Sequence, residues 1–385
     1  MARAAEAGKN ANGEGRTKPV AVLTGEAPVH LWGMTSRERL RRSLALVGVE
    51  TVDGANEARG RPVVLLRGDW IFDQRLVAAL VDSPQTLLVA DDGSAVAAHV
   101  DAAAAGNVAD ALAEERAMPE GLTRKTPATL AGAYENKLRK REPAFLMRLT
   151  PESADAIRAR TFRGSYKGVT DFVTKHVWPR PAQLVTGWCA RFGISPNQVT
   201  WASLVLVLLA FALFWTGHYA VGLVAAWIMT FLDTVDGKLA RVTLTYSKAG
   251  DVLDHGIDLV HPPFWWWAWI VGLPAAGFSL AAPGWTLAVI VIGYVAQRLE
   301  EGAFLALFGI EMHIWRRFDS WFRGITARRN PNLVILTVLS LFGRPDIGIV
   351  LVAIWTALCF LVHLAQILQA SVARRREPIR SWLAA

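Results

Sequence analysis

The second half of the chain contains six apolar stretches, each about as long as a helix that crosses a lipid bilayer. Such a helix needs roughly 20 mainly apolar residues to span the hydrocarbon core. The stretches cover about 198–216, 219–239, 252–274, 285–308, 332–349 and 350–371. The fifth is the weakest, because Gly343-Arg344-Pro345-Asp346 predicts a turn near its end. Residues 196–375 therefore predict an all-α polytopic membrane domain of about six transmembrane helices.

Basic residues are distributed unevenly among the loops between these stretches. They collect near Arg241, in 316–329 and at Arg374-Arg375-Arg376, whereas the opposite loops contain only Arg344. Cytoplasmic loops carry an excess of Lys and Arg, so we expect both termini and residues 376–385 to be cytoplasmic. The formal net charge of +8 suits contact with anionic membrane lipids. The apolar stretches predict an integral membrane protein, and we expect it in a bacterial inner membrane. Since the chain lacks a basic-aromatic module, we expect no nucleic-acid partner.

The first half of the chain alternates strand patterns with helical patterns. The strand patterns, bounded by turn residues, are Val20–Thr24, Val63–Arg67 and Thr86–Ala90. The helical patterns are Ser36–Val47, Gln74–Val81 and Val108–Ala117. This alternation predicts a small parallel sheet with helices on its faces. We expect a disordered leader over 1–17 and a small soluble α/β domain over 18–145, ending in a charged helical link at Glu135–Arg141.

The segment between the two halves, 146–195, predicts a linker and a membrane-surface helix. Within 166–193, apolar side chains recur near helical spacing with Lys and Arg between them, and Pro179 and Pro181 interrupt the run. This pattern favours an amphipathic helix lying on the headgroups, with a soluble linker helix as the alternative. Further along, the tryptophans of 265–269 are expected to face lipid or the interface.

Four aspartates follow a regular pattern beside the second and third apolar stretches. Asp233 and Asp236 are three residues apart, and Asp254 and Asp258 are four apart, so each pair lies on one helix face. The short segment between the pairs allows the second helix to turn back beside the first. Carboxylates near a bilayer are costly, and four together need cations to neutralise them. Oxygen ligands favour Mg²⁺ or Mn²⁺, and these metals suit a diphosphate substrate.

Small and basic residues accompany the aspartates. Gly237 and Ala240 would let a nucleotide lie against the helix backbone, and Gly250 permits close helix contact. Arg241 is placed to contact a diphosphate or a carboxylate. The alternative is that these aspartates only solvate a cytoplasmic loop, which such a regular pattern of residues disfavours.

The pattern D-x2-D-G-x2-A-R-x8-G-x3-D-x3-D, which begins at Asp233, resembles the signature of the CDP-alcohol phosphotransferase family. The resemblance implies six spans, a preceding interfacial helix and a homodimer. It implies that Asp233, Asp236 and Asp254 bind metal, and that Asp258 shares in metal binding and acts as general base. The implied reaction belongs to phospholipid biosynthesis. It transfers a substituted phosphoryl group from a CDP-alcohol to an acceptor hydroxyl and releases CMP.

The resemblance leaves the two substrates open. In one type of family member CDP-diacylglycerol reacts with a polar alcohol, and in the other a CDP-linked polar alcohol reacts with a lipid alcohol. Asp236-Gly237-Lys238 and Asp254-His255-Gly256 resemble choline and ethanolamine phosphotransferases, which favours the second type. Arg298, Arg328 and Arg329 are candidates to select the acceptor, and headgroup anchoring is the alternative for the last two.

The α/β region also resembles a sugar-nucleotide type nucleotidyltransferase domain. Leu66-Arg67-Gly68-Asp69 is similar to a strand end that carries a metal aspartate. Its opening strand should lead into a Gly-rich loop with Arg and Lys, but the sequence there is Thr24-Gly25-Glu26-Ala27-Pro28-Val29-His30. We therefore predict a degenerate domain. The alternative for this domain is an active one, which would make the protein a bifunctional enzyme that produces its own CDP-alcohol from CTP. The alternative for the whole protein is a membrane transporter, although the inverted repeats typical of transporters are missing.

Overall fold

A computed structural model of the protein describes residues 17–246 and 248–384, without the side chains of Lys248, Ala249 and Asp254. The predicted leader therefore lies outside the described residues, apart from its last one. The chain divides into two compact units. One contains the chain up to Ala133 together with Glu142–Thr161, and the other contains Tyr134–Arg141 and everything from Phe162 onward.

The first unit is built on a mixed β-sheet. The sheet contains β1 (Val20–Thr24), β2 (Glu50–Val52), β3 (Val63–Arg67), β5 (Thr86–Val89), β6 (Ala95–Val100) and β7 (Thr123–Lys125). The short strand β4 (Trp70–Phe72) lies outside this sheet. The described sheet has the order β2-β1-β3-β6-β5-β7. Pairing is parallel among β2, β1 and β3 and between β5 and β7, but β6 is antiparallel to β3 and β5. The expectation of a purely parallel sheet was wrong. Half of the residues of β6 are alanines, which are depleted in strands, so its pattern did not indicate a strand.

Helices cover both faces of this sheet. They are α1 (Ser36–Ala45), α2 (Gln74–Val81), α3 (Ala102–Ala113) and the short α4 (Pro127–Ala131), with a 3₁₀ turn at Ala55–Ala58. Helix α5 (Ala154–Gly164) follows at the boundary between the two units. Alternate residues of β1 enter two different cores, Val20 and Val22 on one face and Ala21 and Leu23 on the other. Because both faces are buried, the strand is continuously apolar.

The predicted helical link at Glu135–Arg141 is wrong. Its ends form a two-stranded hairpin, β8 (Tyr134–Glu135) with β9 (Lys140–Arg141). Arg139 lies in the left-handed region with φ of 50°, a turn conformation that a helix does not contain. Strand β10 (Leu146–Arg148) pairs with β4 in the first unit.

The second unit is helical. After a π-helical turn at Val173–Val177 come α6 (Pro179–Arg191), α7 (Pro196–Trp215), α8 (Tyr219–Thr243), α9 (Lys248–Gly272), α10 (Pro283–Phe308), α11 (Arg317–Phe322), α12 (Arg329–Leu341) and α13 (Pro345–Ala373). Short 3₁₀ turns lie at Pro274–Ala276 and Met312–Ile314. Helices α6, α7, α10 and α13 each begin with proline, which suits a first helical position because its missing N–H has no partner there. Ser195 and Gln198 close a capping box on α7.

Among the described residues, three helices are long and apolar enough to cross a membrane, namely α7, α8 and α13. Helices α9 and α10 have 25 and 26 residues but contain several charged side chains. Helix α12 has only 13 residues. The turn predicted at Gly343-Arg344-Pro345-Asp346 is confirmed, because α12 ends at Leu341 and α13 begins at Pro345 and runs for 29 residues. The predicted boundary between the last two stretches, at 349, was therefore too late.

The tryptophans of α9 are mostly buried, contrary to the expectation that they face lipid. Trp265, Trp266 and Trp269 are almost fully buried, and only Trp267 of these four is substantially exposed, at 39%. The indole of Trp265 donates to the carbonyl of Val207 at 3.0 Å, and that of Trp269 donates to the carbonyl of Pro345 at 3.1 Å. These bonds satisfy both indole N–H groups inside the helix bundle.

Candidate active site

Asp236 is the most buried of the motif aspartates whose side chains are described. Its side chain comes from α8 and the residue is only 3% exposed. One carboxylate oxygen accepts a hydrogen bond from the Thr200 hydroxyl of α7 at 2.7 Å, and the other accepts from the Gly237 backbone N–H at 2.5 Å. These two bonds orient the carboxylate without using all of its acceptor sites.

Asp233 and Asp258 are joined by a single guanidinium group. Arg329, the first residue of α12, donates to Asp233 Oδ2 at 2.6 Å and also to Asp258 Oδ1. Helices α8 and α9 therefore bring these two carboxylates close enough to share one cation. Asp254 lies one turn before Asp258 on α9, but its side chain is outside the described part of the structure.

A cavity of about 490 Å³ opens over these carboxylates within the second unit. It is lined by the three described aspartates and by the other predicted residues Gly237, Ala240, Arg241, Gly250, Arg298, Arg328 and Arg329. A Cβ atom added to Gly237 would be 3.5 Å from the Arg241 guanidinium, an ordinary van der Waals distance, so Gly237 and Arg241 are neighbours in the cavity wall. The structure thus brings every predicted residue with a described side chain to one cavity.

A second part of the cavity wall is formed by the guanidinium groups of Arg298, Arg323 and Arg328. Arg328 donates to Glu301 at 2.6 Å, and Arg298 lies 3.4 Å from the same carboxylate. Several buried donors nevertheless lack a hydrogen-bond partner among the described residues. They are Arg298 Nε and Nη2, Arg323 Nη1, Arg328 Nε and Arg329 Nε. Buried unpaired donors are costly, so this wall suits an anionic ligand.

Arg323 is a further buried guanidinium of this wall, and its Nη1 has no hydrogen-bond partner among the described residues. Burial and the neighbouring charge of Arg328 lower the pKa of Arg323 to about 9. The nearby Asp171 is buried, and burial alone would raise its pKa. Hydrogen bonds from Thr174 and Asn330 and the charge of Arg323 lower the pKa of Asp171 overall. A bound anion would stabilise the charged form of Arg323.

The sequence did not single out Thr200, Asp171 or Arg323 as site residues together with the aspartates. Thr200 follows the capping box of α7 by one helical turn, and its contact with Asp236 joins positions that lie 36 residues apart. Asn330 donates to Asp171 across 159 residues at 3.0 Å. Contacts of such long range leave no local signal in one sequence.

The candidate aspartate of the first unit has a different environment. Asp69 accepts two hydrogen bonds from Arg67, at 2.9 and 2.7 Å, and lies 3.1 Å from Arg148. A Cβ atom added to Gly68 would be 2.2 Å from the carbonyl oxygen of Gly25, so the loop after β1 packs directly on this strand end. The two arginines thus occupy the carboxylate that was similar to a metal ligand.

Comparisons with known proteins agree with the aspartate motif. Residues 193–317 match the family model described as CDP-alcohol phosphatidyltransferase. An archaetidylinositol phosphate synthase of Pyrococcus horikoshii is 27% identical over 190 residues, which cover 47% of this chain and 88% of the relative. A phosphatidylinositol phosphate synthase of Mycobacteroides abscessus is 31% identical over 126 residues, covering 31% of this chain and 57% of the relative.

A bifunctional IPC transferase and DIPP synthase of Rubrobacter xylanophilus is 31% identical over 156 residues, 40% of this chain. The chain spans only 32% of that relative. The resemblance of the aspartate motif to CDP-alcohol phosphotransferases is confirmed. This enzyme assignment excludes the transporter alternative. Residues 193–317 form a CDP-alcohol phosphatidyltransferase domain, and the protein is a phosphatidyltransferase enzyme of phospholipid biosynthesis.

Proposed function

We propose that the protein transfers a substituted phosphoryl group from a CDP-alcohol to a hydroxyl group of a phosphorylated polar alcohol, with release of CMP. One observation carries this proposal: a single cavity contains the aspartates of α8 and α9 on one wall and unpaired guanidinium donors on the other. A reaction between two anionic substrates needs both walls, one for the diphosphate and one for the acceptor phosphate.

The donor set of the first wall fits Mg²⁺ or Mn²⁺. Asp233, Asp236 and Asp258 offer carboxylate oxygens, the ligands that these metals prefer. Arg329 bridges two of these carboxylates, which supports their ability to share a cation. By sequence spacing, Asp254 would complete the set. When bound, the metal would neutralise the diphosphate oxygens and the charge that develops on the leaving CMP.

Asp258 is the best placed of the described aspartates to act as general base. Its side chain is 44% exposed, whereas that of Asp233 is 16% exposed. An acceptor hydroxyl entering the cavity can therefore reach Asp258. Asp258 takes the hydroxyl proton, and the freed oxygen attacks the phosphorus atom that bears the alcohol substituent. A phosphorus–oxygen bond forms to the acceptor, and the bond to CMP breaks.

Arg329 has two roles in this scheme. Without metal, its single positive charge pairs with both Asp233 and Asp258 and links α8 to α9. If these carboxylates held a metal instead, the guanidinium donors would be available to a phosphate in the same cavity. The sequence placed Arg329 on the acceptor side, and this change of partner reconciles that prediction with its contacts to the aspartates.

The acceptor is proposed to be an inositol phosphate or a similar polyol phosphate. Two relatives are named as synthases of archaetidylinositol phosphate and phosphatidylinositol phosphate. The unpaired donors of Arg298, Arg323 and Arg328 supply positive charge that a neutral lipid alcohol would not need. This choice favours a CDP-diacylglycerol type of donor and reverses the preference drawn from Asp254-His255-Gly256.

The wider organisation of the protein is also proposed. It comprises six membrane spans within 196–375, a surface helix in the linker 146–195, cytoplasmic termini and active site, and a homodimer. The α/β domain over 18–145 is proposed to be degenerate, because two arginines occupy Asp69. The bifunctional alternative would need that carboxylate free to bind metal.

The function can be tested with the full chain reconstituted in lipid vesicles containing Mg²⁺. One assay supplies CDP-diacylglycerol and radiolabelled inositol phosphate, and the other supplies CDP-linked polar alcohols and diacylglycerol. Release of CMP and a labelled phospholipid in the first assay alone is the expected result. Product in the second assay alone would overturn the acceptor assignment, and product in neither would overturn the reaction.

A further inference from the structure

A second group of metal-ligating side chains lies outside the aspartate motif. Glu300 and Glu301 come from α10, His313 from the 3₁₀ turn that follows, and His363 from the middle of α13. One ligand atom from each of Glu301, His313 and His363 lies within 4.8 Å of the other two. A carboxylate oxygen of Glu300 is 3.6 Å from Nδ1 of His363. Glu301, His313 and His363 therefore form one cluster, and Glu300 lies beside it at His363.

This group is buried and incompletely satisfied. His363 is fully buried, and neither of its ring nitrogens has a hydrogen-bond partner among the described residues. Both carboxylate oxygens of Glu300 are equally buried and lack a partner within the described chain. Such groups are normally paired or bound to a ligand, because a buried polar atom loses its hydrogen bonds to water. Their position beside His313 and Glu301 indicates what the ligand is.

We propose that Glu300, Glu301, His313 and His363 bind a divalent cation of the Zn²⁺ type. Two imidazoles and one glutamate, as His313, His363 and Glu301 supply, are a known ligand set for zinc, and Glu300 would take the fourth position. Imidazole favours zinc over magnesium, which distinguishes this site from the all-carboxylate site of Asp233. Tetrahedral bonds of 2.0–2.1 Å place neighbouring ligand atoms about 3.4 Å apart. Side-chain rotations that bring the ligand atoms of Glu301, His313 and His363 together by up to about 1.4 Å, with a further rotation of Glu300, would complete the coordination.

The cation would act on the substrate cavity through Glu301. That carboxylate accepts from Arg328 at 2.6 Å and lies 3.4 Å from Arg298, and both arginines line the cavity. A carboxylate has about four acceptor positions, so Glu301 can bind a cation and a guanidinium together. The bound cation would fix the orientation of Glu301 and, through it, of Arg328 and Arg298. These four ligands are therefore positioning residues for the acceptor wall.

The direct test is cobalt and zinc binding by the full chain in detergent after treatment with a chelator. Tetrahedral Co²⁺ absorbs visible light strongly, and this spectrum reports coordination independently of activity. We expect one equivalent of Co²⁺ to give the tetrahedral spectrum, Zn²⁺ to abolish it by displacement, and excess Mg²⁺ to leave it unchanged. No tetrahedral spectrum, or displacement by Mg²⁺, would overturn the proposal.

Matched variants assign the site. His363→Asn and Glu300→Gln should each weaken Co²⁺ binding by at least about 100-fold, since even outer-shell partners contribute 10–100-fold. His218→Asn, in an exposed histidine before α8, is the control and should bind normally. The double variant Asp233→Asn with Asp236→Asn should also bind normally. If this double variant loses the spectrum while Glu300→Gln keeps it, the cation is at the aspartates and the proposal is wrong.

Discussion

The two units of the protein each place a candidate metal aspartate against arginine, with different consequences. In the α/β unit, Asp69 is held by Arg67, two residues away on the same strand end, and by Arg148. In the helical unit, Asp233 and Asp258 share Arg329, which is 96 and 71 residues away. In the first arrangement two arginines pair with one carboxylate, whereas in the second one arginine pairs with two carboxylates and connects three helices around a cavity.

The difference shows why ion pairing alone does not identify a metal site. A lone carboxylate that is already neutralised by its neighbours has no charge left for a cation. Several carboxylates that share one guanidinium keep a negative excess, and a cation is still needed. The helical unit also supplies an adjacent wall of unpaired donors for a second anion. We therefore expect substitutions in the helical unit to affect the chemistry, and those in the α/β unit to leave it nearly unchanged.

The largest effect is expected at Asp258, where substitution separates base from ligand. Asp258→Asn removes the proposed proton acceptor while retaining its volume, so kcat should fall by about 10²–10⁴. Extra Mg²⁺ should not restore the rate. Asn variants of Asp233, Asp236 and Asp254 lose a metal ligand and should recover part of their activity at high Mg²⁺. Turnover measured across a metal titration for all four variants makes this comparison.

An opposite result at Asp258 would change its role. If high Mg²⁺ restores Asp258→Asn as it does the other three variants, Asp258 is a ligand and the base lies elsewhere. CDP-diacylglycerol binding to each variant provides the control, because a variant that binds donor normally has kept its fold. Full activity in all four would show that the aspartates are not the catalytic centre.

A smaller effect is expected at Arg298 and Arg328, the arginines of the cavity wall that are proposed to bind the acceptor. Each guanidinium is proposed to bind the acceptor phosphate equally in the ground and transition states. Replacing either arginine with glutamine should therefore raise the acceptor KM by about 10-fold and change kcat little. Arg344→Gln is the matched control, because the exposed Arg344 pairs with Asp346 in the first turn of α13, far along the sequence from the motif. Unchanged acceptor KM in both variants would assign the pair to headgroup anchoring.

These contacts also show how far the sequence could predict the molecule. The strands Val20–Thr24 and Val63–Arg67 and the helix Gln74–Val81 were predicted with their observed bounds, because buried strands and amphipathic helices have strong local patterns. The four aspartates were found because their spacing follows one face of each helix. The hairpin around Arg139 was missed, since its charged residues suit a helix equally well.

Other failures have a tertiary cause. Aromatic residues in a membrane helix can face lipid or the bundle, and only the packing of α9 decides that Trp265 and Trp269 are buried. The placement of Arg329 on Asp233 depends on how α12 enters the bundle, which one sequence does not reveal. Similarly, the hydrogen bond from Thr200 to Asp236 requires α7 to lie beside α8.

That hydrogen bond should make a modest contribution to metal binding. Thr200→Val keeps the shape of the side chain but removes the bond that orients Asp236. A hydrogen bond to a charged group contributes about 1.5–3 kcal/mol, so the apparent Mg²⁺ affinity should fall by about 10-fold or more. Thr186→Val is the control, because the buried Thr186 hydroxyl has no partner among the described residues. Equal Mg²⁺ dependence in the two variants would show that Thr200 does not support the site.

The smallest effect is expected at Asp69, and it tests the other side of the comparison. Asp69→Ala leaves Arg67, whose side chain is only 7% exposed, paired with Glu115 at 2.6 Å. Because this pair remains, the unit should stay folded. Transfer from supplied CDP-alcohol should change by less than about twofold, because Asp69 does not line the substrate cavity. The second measurement is pyrophosphate release from CTP and alcohol phosphates, with Asp92→Ala as an exposed control. If the unaltered protein releases pyrophosphate with Mg²⁺ and only Asp69→Ala abolishes this release, Asp69 is a working ligand. The α/β unit would then be a second active site, in which the two arginines yield their carboxylate to metal as Arg329 is proposed to do.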